Sequence, residues 1–155
     1  MPGDEMEERR VAVFFYGSFM DKGVLRQRGF EPADVQVAKL WGFDIRFAPL
    51  ATLVPVEEHT CVYGLVATAT HGDLQRLYGE SWVSSYRPEA VIVETIPGRR
   101  LPALVYIAWS ATPPAPSDDY IDHILGPARE HGFPDWYLEH LESRWRARES
   151  ETKPA

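Results

Sequence analysis

Short apolar runs rich in β-branched and aromatic residues, each bounded by turn residues, dominate the first two thirds of the chain. The run Val11 to Phe15 leads into Tyr16-Gly17-Ser18 and predicts a buried strand that enters a turn. Cys61 to Thr70 predicts another strand, and Gly64 inside it indicates a bulge or a close approach of another backbone segment. This part of the chain is therefore expected to be β-rich.

Two further patterns extend the β-rich region. Residues 41–47 alternate between apolar and polar positions, which predicts one half-buried strand with Asp44 on its polar face. Residues 90–95 and 101–109 are strongly apolar and flank Pro97-Gly98, which predicts a β-hairpin.

Helical spacing and capping residues predict helices between and after these strands. Two short helices are expected, at residues 21–28 behind an N-cap at Asp21, and at residues 73–78. After a Pro-rich stretch, Ser117 can cap a third helix, and a fourth is predicted from Pro134, because proline fits the first helical turn. The pattern indicates an α+β fold, in which a β-rich sheet or barrel is closed by C-terminal helices.

The length of 155 residues fits one domain with one hydrophobic core. Both ends of the chain are polar and lack apolar periodicity. We therefore expect a disordered N-terminus over residues 1–9, a single domain over residues 10–147 and a disordered tail over residues 148–155.

Charge and cysteine content exclude several classes of function. With 16 Lys and Arg against 23 Asp and Glu, the formal net charge is −7, and no basic patch is evident for nucleic acid or an anionic membrane surface. The single cysteine, Cys61, excludes an internal disulfide and a thiolate zinc cluster, and the five histidines lack metal-ligand spacing. We predict no signal peptide, membrane span, metal or other cofactor, and a cytoplasmic location. The oligomeric state is left open.

The strand that ends at Tyr16-Gly17-Ser18-Phe19 is the most unusual local feature. A glycine at a strand end lets the backbone turn sharply, and successive N–H groups can then face a carboxylate or a polarised carbonyl oxygen. A plain turn with a packed tyrosine is the simpler interpretation. Ser18 could also be a nucleophile, although the residues around it do not form a Gly-x-Ser-x-Gly elbow and no spacing identifies a histidine base.

The segment LYGESWVSSYRPEAVIVE contains two candidate acid–base residues, Glu80 and Glu89. Glu80 is surrounded in sequence by aromatic and apolar residues. Partial burial would raise the pKa of a carboxyl group in such surroundings towards the range that is useful for proton transfer. For either glutamate taken alone, a solvated loop carboxylate is the alternative.

Taken in order, five segments resemble the γ-glutamylcyclotransferase-like family, also called the AIG2-like family. They are FFYGSFM, LWGFDIRF, ATLVPVEEHTCVYGLV, LYGESWVSSYRPEAVIV and PSDDYIDHILGPAREHGFPDWYLEHL, and they fall within residues 11–141. Family members usually carry Leu-Asp-x-x-Glu-Gly where this chain has Leu77-Tyr78-Gly79-Glu80-Ser81.

The resemblance implies a small closed or nearly closed mixed β-barrel with flanking and C-terminal helices. It also implies a cofactor-free reaction, in which the α-amine of a γ-glutamyl group attacks its own γ-amide carbonyl. 5-Oxoproline forms, and an amine or an amino acid leaves. The resemblance assigns the general acid–base role to Glu80 and substrate binding to Tyr16, Gly17, Ser18, Phe19, Tyr86 and Tyr120.

Two other functions remain open at this point. The altered segment around Glu80 is compatible with a protein of the same fold that binds a small metabolite without catalysis. A hydrolase or amidase that depends on Ser18 is the other alternative.

Overall fold

The computed structural model describes residues 9–79, 83, 85–109, 112 and 119–152. In chain order its elements are β1 (Arg10–Phe15), a 3-10 turn (Ser18–Met20), α1 (Lys22–Gln27), β2 (Ala33–Trp41), β3 (Phe43–Phe47), β4 (Ala51–Pro55), β5 (Cys61–Thr70), α2 (His71–Tyr78), β6 (Arg87–Thr95), β7 (Arg100–Ile107), α3 (Asp122–Glu130) and α4 (Asp135–Thr152).

Five of the strands close into a barrel, in the order β1-β5-β2-β6-β7. Its sheet is mixed, because β7 returns to β1 in parallel, with Val13 opposite Leu104, whereas the other neighbours are antiparallel. The remaining strands, β3 and β4, form a separate antiparallel pair. The predicted closed mixed barrel with flanking and C-terminal helices is thus confirmed.

Gly64 brings two barrel strands into close contact. A Cβ atom at this position would lie 2.4 Å from the carbonyl oxygen of Phe15 and 2.6 Å from the ring of Phe14, far inside ordinary contact distance. The close approach expected from a glycine inside a strand is therefore present. It fixes β5 against the end of β1, from which the Tyr16-Gly17-Ser18 loop departs.

The helices pack their apolar faces onto this barrel. Ile124 of α3 and Tyr137 and Leu141 of α4 are almost completely buried and belong to the same hydrophobic core as Val13 and Phe14 of β1. Helix α4 continues to Thr152, past residue 147, which is the predicted end of the domain. None of the helices in the described ranges combines the length and apolar character needed to cross a membrane.

The strand expected over residues 41–47 is confirmed only from Phe43 to Phe47. Strand β2 ends at Trp41, Gly42 turns the chain with a φ of 85°, and β3 begins at Phe43. Only glycine adopts this left-handed backbone conformation without strain, so Gly42 divides the segment. Asp44 is also buried instead of facing solvent. Its two carboxylate oxygens lie 2.7 Å from Nε2 of His140 and 2.5 Å from a guanidinium nitrogen of Arg144, both on α4.

Other differences concern strands and helix starts. Strand β4 and the greater part of β2 lie outside the predicted strands. Helix α3 begins at Asp122, later than a cap at Ser117 implied, and Ser117 itself lies outside the described residues. The structure confirms the strands predicted at residues 11–15 and 61–70 and the hairpin within residues 90–109. It also confirms the Asp21 cap of α1, because the Asp21 side chain accepts the N–H groups of Gly23 and Val24.

Candidate active site

A cleft opens where β1 leaves the barrel, and it encloses about 360 Å³ of empty space, its open mouth included. The lining residues are Phe15, Tyr16, Gly17, Ser18, Phe19, Ala51, Tyr78, Val83, Tyr86, Tyr106 and Tyr120. The fold therefore brings together all the residues for which substrate binding was predicted, although they span more than 100 positions of sequence. Their contact with a substrate stays a prediction.

The loop after β1 forms one side of the cleft. Its backbone turns at Gly17 into the 3-10 turn, in which the N–H of Met20 donates to the carbonyl of Gly17 over 3.0 Å. A Cβ atom at Gly17 would lie 3.3 Å from Cβ of Ala51 and 4.0 Å from the hydroxyl of Tyr120. Glycine thus lets the loop approach the opposite side of the cleft closely.

Two tyrosines hold the backbone of Ala51, the first residue of β4. The hydroxyl of Tyr120 accepts the N–H of Ala51 at 3.0 Å, and the hydroxyl of Tyr86 donates to its carbonyl oxygen. These contacts connect the β3–β4 pair, which is not part of the barrel, to the rest of the cleft. Tyr16 likewise donates its hydroxyl proton to a backbone oxygen, the carbonyl of Tyr106, at 2.7 Å.

The phenol groups in the cleft remain protonated near neutral pH. Burial raises the pKa of Tyr16, Tyr78 and Tyr86 well above the ordinary value. Burial also raises the pKa of Tyr120 to about 12, although hydrogen bonds from the N–H of Ala51 and the hydroxyl of Ser18 act in the opposite direction. None of these four tyrosines is therefore a base at neutral pH.

The predicted general acid–base residue, Glu80, lies outside the described residues. Its neighbours along the chain, Tyr78 and Val83, both line the cleft. The competing candidate, Glu89, is exposed on β6, and Nε1 of Trp109 donates to its carboxylate at 3.3 Å. Glu89 is not among the lining residues of the cleft.

The Ser18 alternative lacks a base in the described part of the cleft. Ser18 is buried beside the hydroxyl of Tyr120, and none of the described lining residues is a histidine. His123, which follows Tyr120 closely in sequence, has its Nδ1 atom 2.8 Å from a carboxylate oxygen of Asp21.

Five lining residues are not among those predicted from the sequence: Phe15, Ala51, Tyr78, Val83 and Tyr106. Tyr78 was noted only as a neighbour of Glu80, and Tyr106 was read as part of an apolar strand. Alternation along β7 could have placed Tyr106 on the cleft side, since Val105 and Ile107 are fully buried and Tyr106 is only partly buried. Ala51 contributes through its backbone, for which no side-chain signal exists.

Fold and cleft together define a small barrel protein with a tyrosine-lined cleft at the end of β1. The sequence matches the family described as "Gamma-glutamyl cyclotransferase, AIG2-like" over residues 13–123. Because the match covers more than half of the chain, this protein belongs to that family.

Solved structures agree with this assignment. The chain is 25% identical to a structure described as "Gamma-glutamyl cyclotransferase", with a TM-score of 0.73 over 87% of this chain and 88% of that one. It is 26% identical to the uncharacterized protein loc79017 from Homo sapiens, with a TM-score of 0.74 over 88% of each chain. YkqA from Bacillus subtilis shares the fold at 22% identity and a TM-score of 0.73, over 94% of this chain and 58% of YkqA. The sequence matches no curated protein.

Proposed function

We propose that the protein is a γ-glutamylcyclotransferase, which converts a γ-glutamyl amine or a γ-glutamyl peptide to 5-oxoproline and releases the amine or amino acid. The observation that carries the proposal is the cleft itself. The Tyr16-Gly17-Ser18-Phe19 loop, Tyr86 and Tyr120 line one cavity in a member of this family, and the segment that carries Glu80 joins two further lining residues.

The reaction suits a small cavity. The nucleophilic amine and the electrophilic carbonyl belong to the same molecule, so a site that folds the glutamyl chain gains much of the effective molarity of an intramolecular reaction, on the order of 10⁵ M or more. The backbone N–H groups of Gly17, Ser18 and Phe19 hold the glutamyl moiety and stabilise the developing oxyanion. The rings of Tyr16 and Tyr120 restrict how the chain can fold.

Proton transfer is assigned to Glu80. Its carboxylate removes a proton from the α-ammonium group, and the protonated carboxyl returns one proton to the leaving nitrogen. The new bond joins the α-nitrogen to the γ-carbonyl carbon, and the γ-amide C–N bond breaks. The protonated state of the cleft tyrosines supports this assignment, because it leaves them without a base function at neutral pH.

The test is a screen of γ-glutamyl compounds with mass-spectrometric detection of 5-oxoproline. Glu80→Gln should lower kcat by about 10²- to 10⁴-fold, the usual contribution of a general acid–base residue. Glu89→Gln is the matched control, since Glu89 is an exposed glutamate nearby in sequence, and it should behave like the wild type. Full activity in Glu80→Gln would refute the assigned mechanism.

A binding protein without catalysis is the second candidate. It is favoured by the segment Leu77-Tyr78-Gly79-Glu80. Tyr78 stands after Leu77 at the position where the family usually has Asp, and the Tyr78 side chain forms part of the cleft wall. Calorimetric binding of a γ-glutamyl compound with no release of 5-oxoproline would support it. Ser18→Ala addresses the remaining hydrolase hypothesis, because a serine nucleophile cannot be removed without loss of turnover.

A further inference from the structure

Asp21 connects three elements near the cleft. Its N–H donates to the carbonyl of Ser18 at 3.0 Å and closes the 3-10 turn. One of its carboxylate oxygens accepts the N–H groups at the start of α1, at 2.8 Å from Gly23 and 3.4 Å from Val24. The other oxygen lies 2.8 Å from Nδ1 of His123 on α3. The two oxygens are therefore engaged with two different helices.

His123 follows directly on the segment that supplies Tyr120 to the cleft. The N–H of His123 donates to the carbonyl of Tyr120 at 3.1 Å, so the two residues lie about one turn apart at the entry to α3. The hydroxyl of Tyr120 bonds to the N–H of Ala51 and to the hydroxyl of Ser18. The 3-10 turn and the Tyr120 segment are thus joined twice, by Ser18 and Tyr120 inside the cleft and by Asp21 and His123 outside it.

The contact between Asp21 and His123 involves a charged acceptor. Burial acts to raise the pKa of Asp21, but hydrogen bonds from His123 and from the α1 N–H groups lower it overall, so the carboxylate is ionised at neutral pH. A carboxylate only accepts hydrogen bonds, so the imidazole nitrogen beside it donates. Hydrogen bonds to ionised acceptors are stronger than those between neutral groups. This contact can therefore hold the two segments together although the side chain of His123 is 42% exposed.

The turn held by this contact carries N–H groups to which the proposed function gives a role. Ser18 and Phe19 are its first two residues, and the hydrogen bonds that close it are donated by the N–H groups of Met20 and Asp21. The direction of the N–H groups of Ser18 and Phe19 thus depends on Asp21 staying in place. A displacement of about 1 Å in a positioning element can reduce a reaction rate about 10²-fold.

We infer that His123 is a positioning residue for the proposed reaction. Through Asp21 it keeps the 3-10 turn, and with it the N–H groups of Ser18 and Phe19, in a fixed place relative to Tyr120. His123 does not line the cleft, so its effect on the reaction is exerted through Asp21. The inference rests on the proposed cyclotransferase function for the effect on turnover, whereas the effect on the order of the turn is measured without any substrate.

Amide hydrogen exchange followed by NMR measures that order, because the N–H groups of Met20 and Asp21 are the donors within the turn. In His123→Ala their exchange should become about two- to tenfold faster, the range expected when a partly exposed hydrogen bond to a charged group is lost. Alanine is a good helix former, so the substitution does not weaken α3 itself.

Turnover separates positioning from a contribution to stability alone. At a temperature well below Tm, kcat/KM of His123→Ala for 5-oxoproline release should fall by about two- to tenfold. His123→Asn keeps a side-chain N–H donor close to the position of Nδ1, and it should restore both exchange and kcat/KM to within about twofold of the wild type.

His59→Ala is the matched control. It removes a histidine–carboxylate contact of the same length, 2.8 Å from His59 to Glu57, between β4 and β5, and it should leave exchange in the turn and kcat/KM at wild-type values. Wild-type exchange of Met20 and Asp21 in His123→Ala would overturn the inference.

Faster exchange with an unchanged kcat/KM, or loss of activity that His123→Asn does not restore, would also overturn the inference, while the proposed function stands. Absence of 5-oxoproline from every γ-glutamyl compound incubated with the wild type would overturn the proposed function, and with it the positioning role in that reaction.

Discussion

Replacing Tyr120 with phenylalanine removes the hydroxyl that accepts the N–H of Ala51 at 3.0 Å. The ring and its packing are retained, so the change isolates this hydrogen bond and the contact with the Ser18 hydroxyl. Tyr120 is 4% exposed and Ala51 is 3% exposed. Water therefore has little access to the N–H group that loses its acceptor.

The expected loss follows from that burial. A buried N–H group without an acceptor costs about 1–3 kcal/mol in free energy of unfolding. For a protein of this size, each kcal/mol lowers Tm by roughly 2–4 °C, so a loss of about 2 kcal/mol corresponds to roughly 4–8 °C. The slope of the free energy of unfolding against urea concentration should not change, since the same surface is exposed on unfolding.

Urea unfolding followed by circular dichroism measures this effect. Tyr63→Phe is the matched control, because Tyr63 packs against Phe133, Trp136 and Tyr137, away from the cleft. It should unfold within about 0.5 kcal/mol of the wild type. If Tyr120→Phe and Tyr63→Phe shared the wild-type midpoint, the idea that Tyr120 anchors the β3–β4 pair would be refuted.

Three further predictions concern the frame around the cleft. Gly64→Ala should lower the free energy of unfolding by about 1–3 kcal/mol, because the new methyl group would collide with the carbonyl oxygen of Phe15. Gly126→Ala is the control, because the space around Gly126 is open, and it should cause no loss of stability in the same urea unfolding assay. Burial acts to raise the pKa of Asp44, but its histidine and arginine partners and the N–H of the next residue lower it overall. Wild-type stability should therefore decrease as the pH falls from about 4 through the lower pKa of the folded state, and Asp44→Asn should lose this dependence in urea titrations between pH 2 and 5. Asp21→Ala should cost about 0.5–2 kcal/mol in thermal unfolding through loss of the α1 cap, and an unchanged Tm would contradict the capping role.

Elements with strong local signals could be predicted from the sequence. The apolar run of β1, the long β-forming segment of β5 and the hairpin around Pro97-Gly98 each contain their own pattern and turn residues. The Tyr16-Gly17-Ser18 loop was identified for the same reason, since an apolar strand that ends at glycine is a local feature. The family resemblance then related the loop to Tyr86 and Tyr120, far away in sequence.

Elements that depend on distant partners could not be predicted in this way. Asp44 was assigned to a solvent-facing side, because an isolated strand gives no sign of the histidine and arginine that α4 brings to it almost 100 residues later. Strand β4 lacks a local signal for the same reason. Its first residue, Ala51, is held by hydroxyl groups that come from positions 86 and 120.

The hydrogen bonds in the cleft also change how its tyrosines are expected to act. The hydroxyl of Tyr16 donates to the carbonyl of Tyr106, that of Tyr86 donates to the carbonyl of Ala51, and that of Tyr120 accepts the N–H of Ala51. These three side chains therefore use their polar atoms to fix the backbone and present their rings to the cavity. Under the proposed function, the N–H groups of the loop would contact the γ-glutamyl group and Glu80 would transfer the proton. Each Tyr→Phe change should consequently affect stability more than KM, whereas Glu80→Gln should affect kcat without a comparable loss of stability.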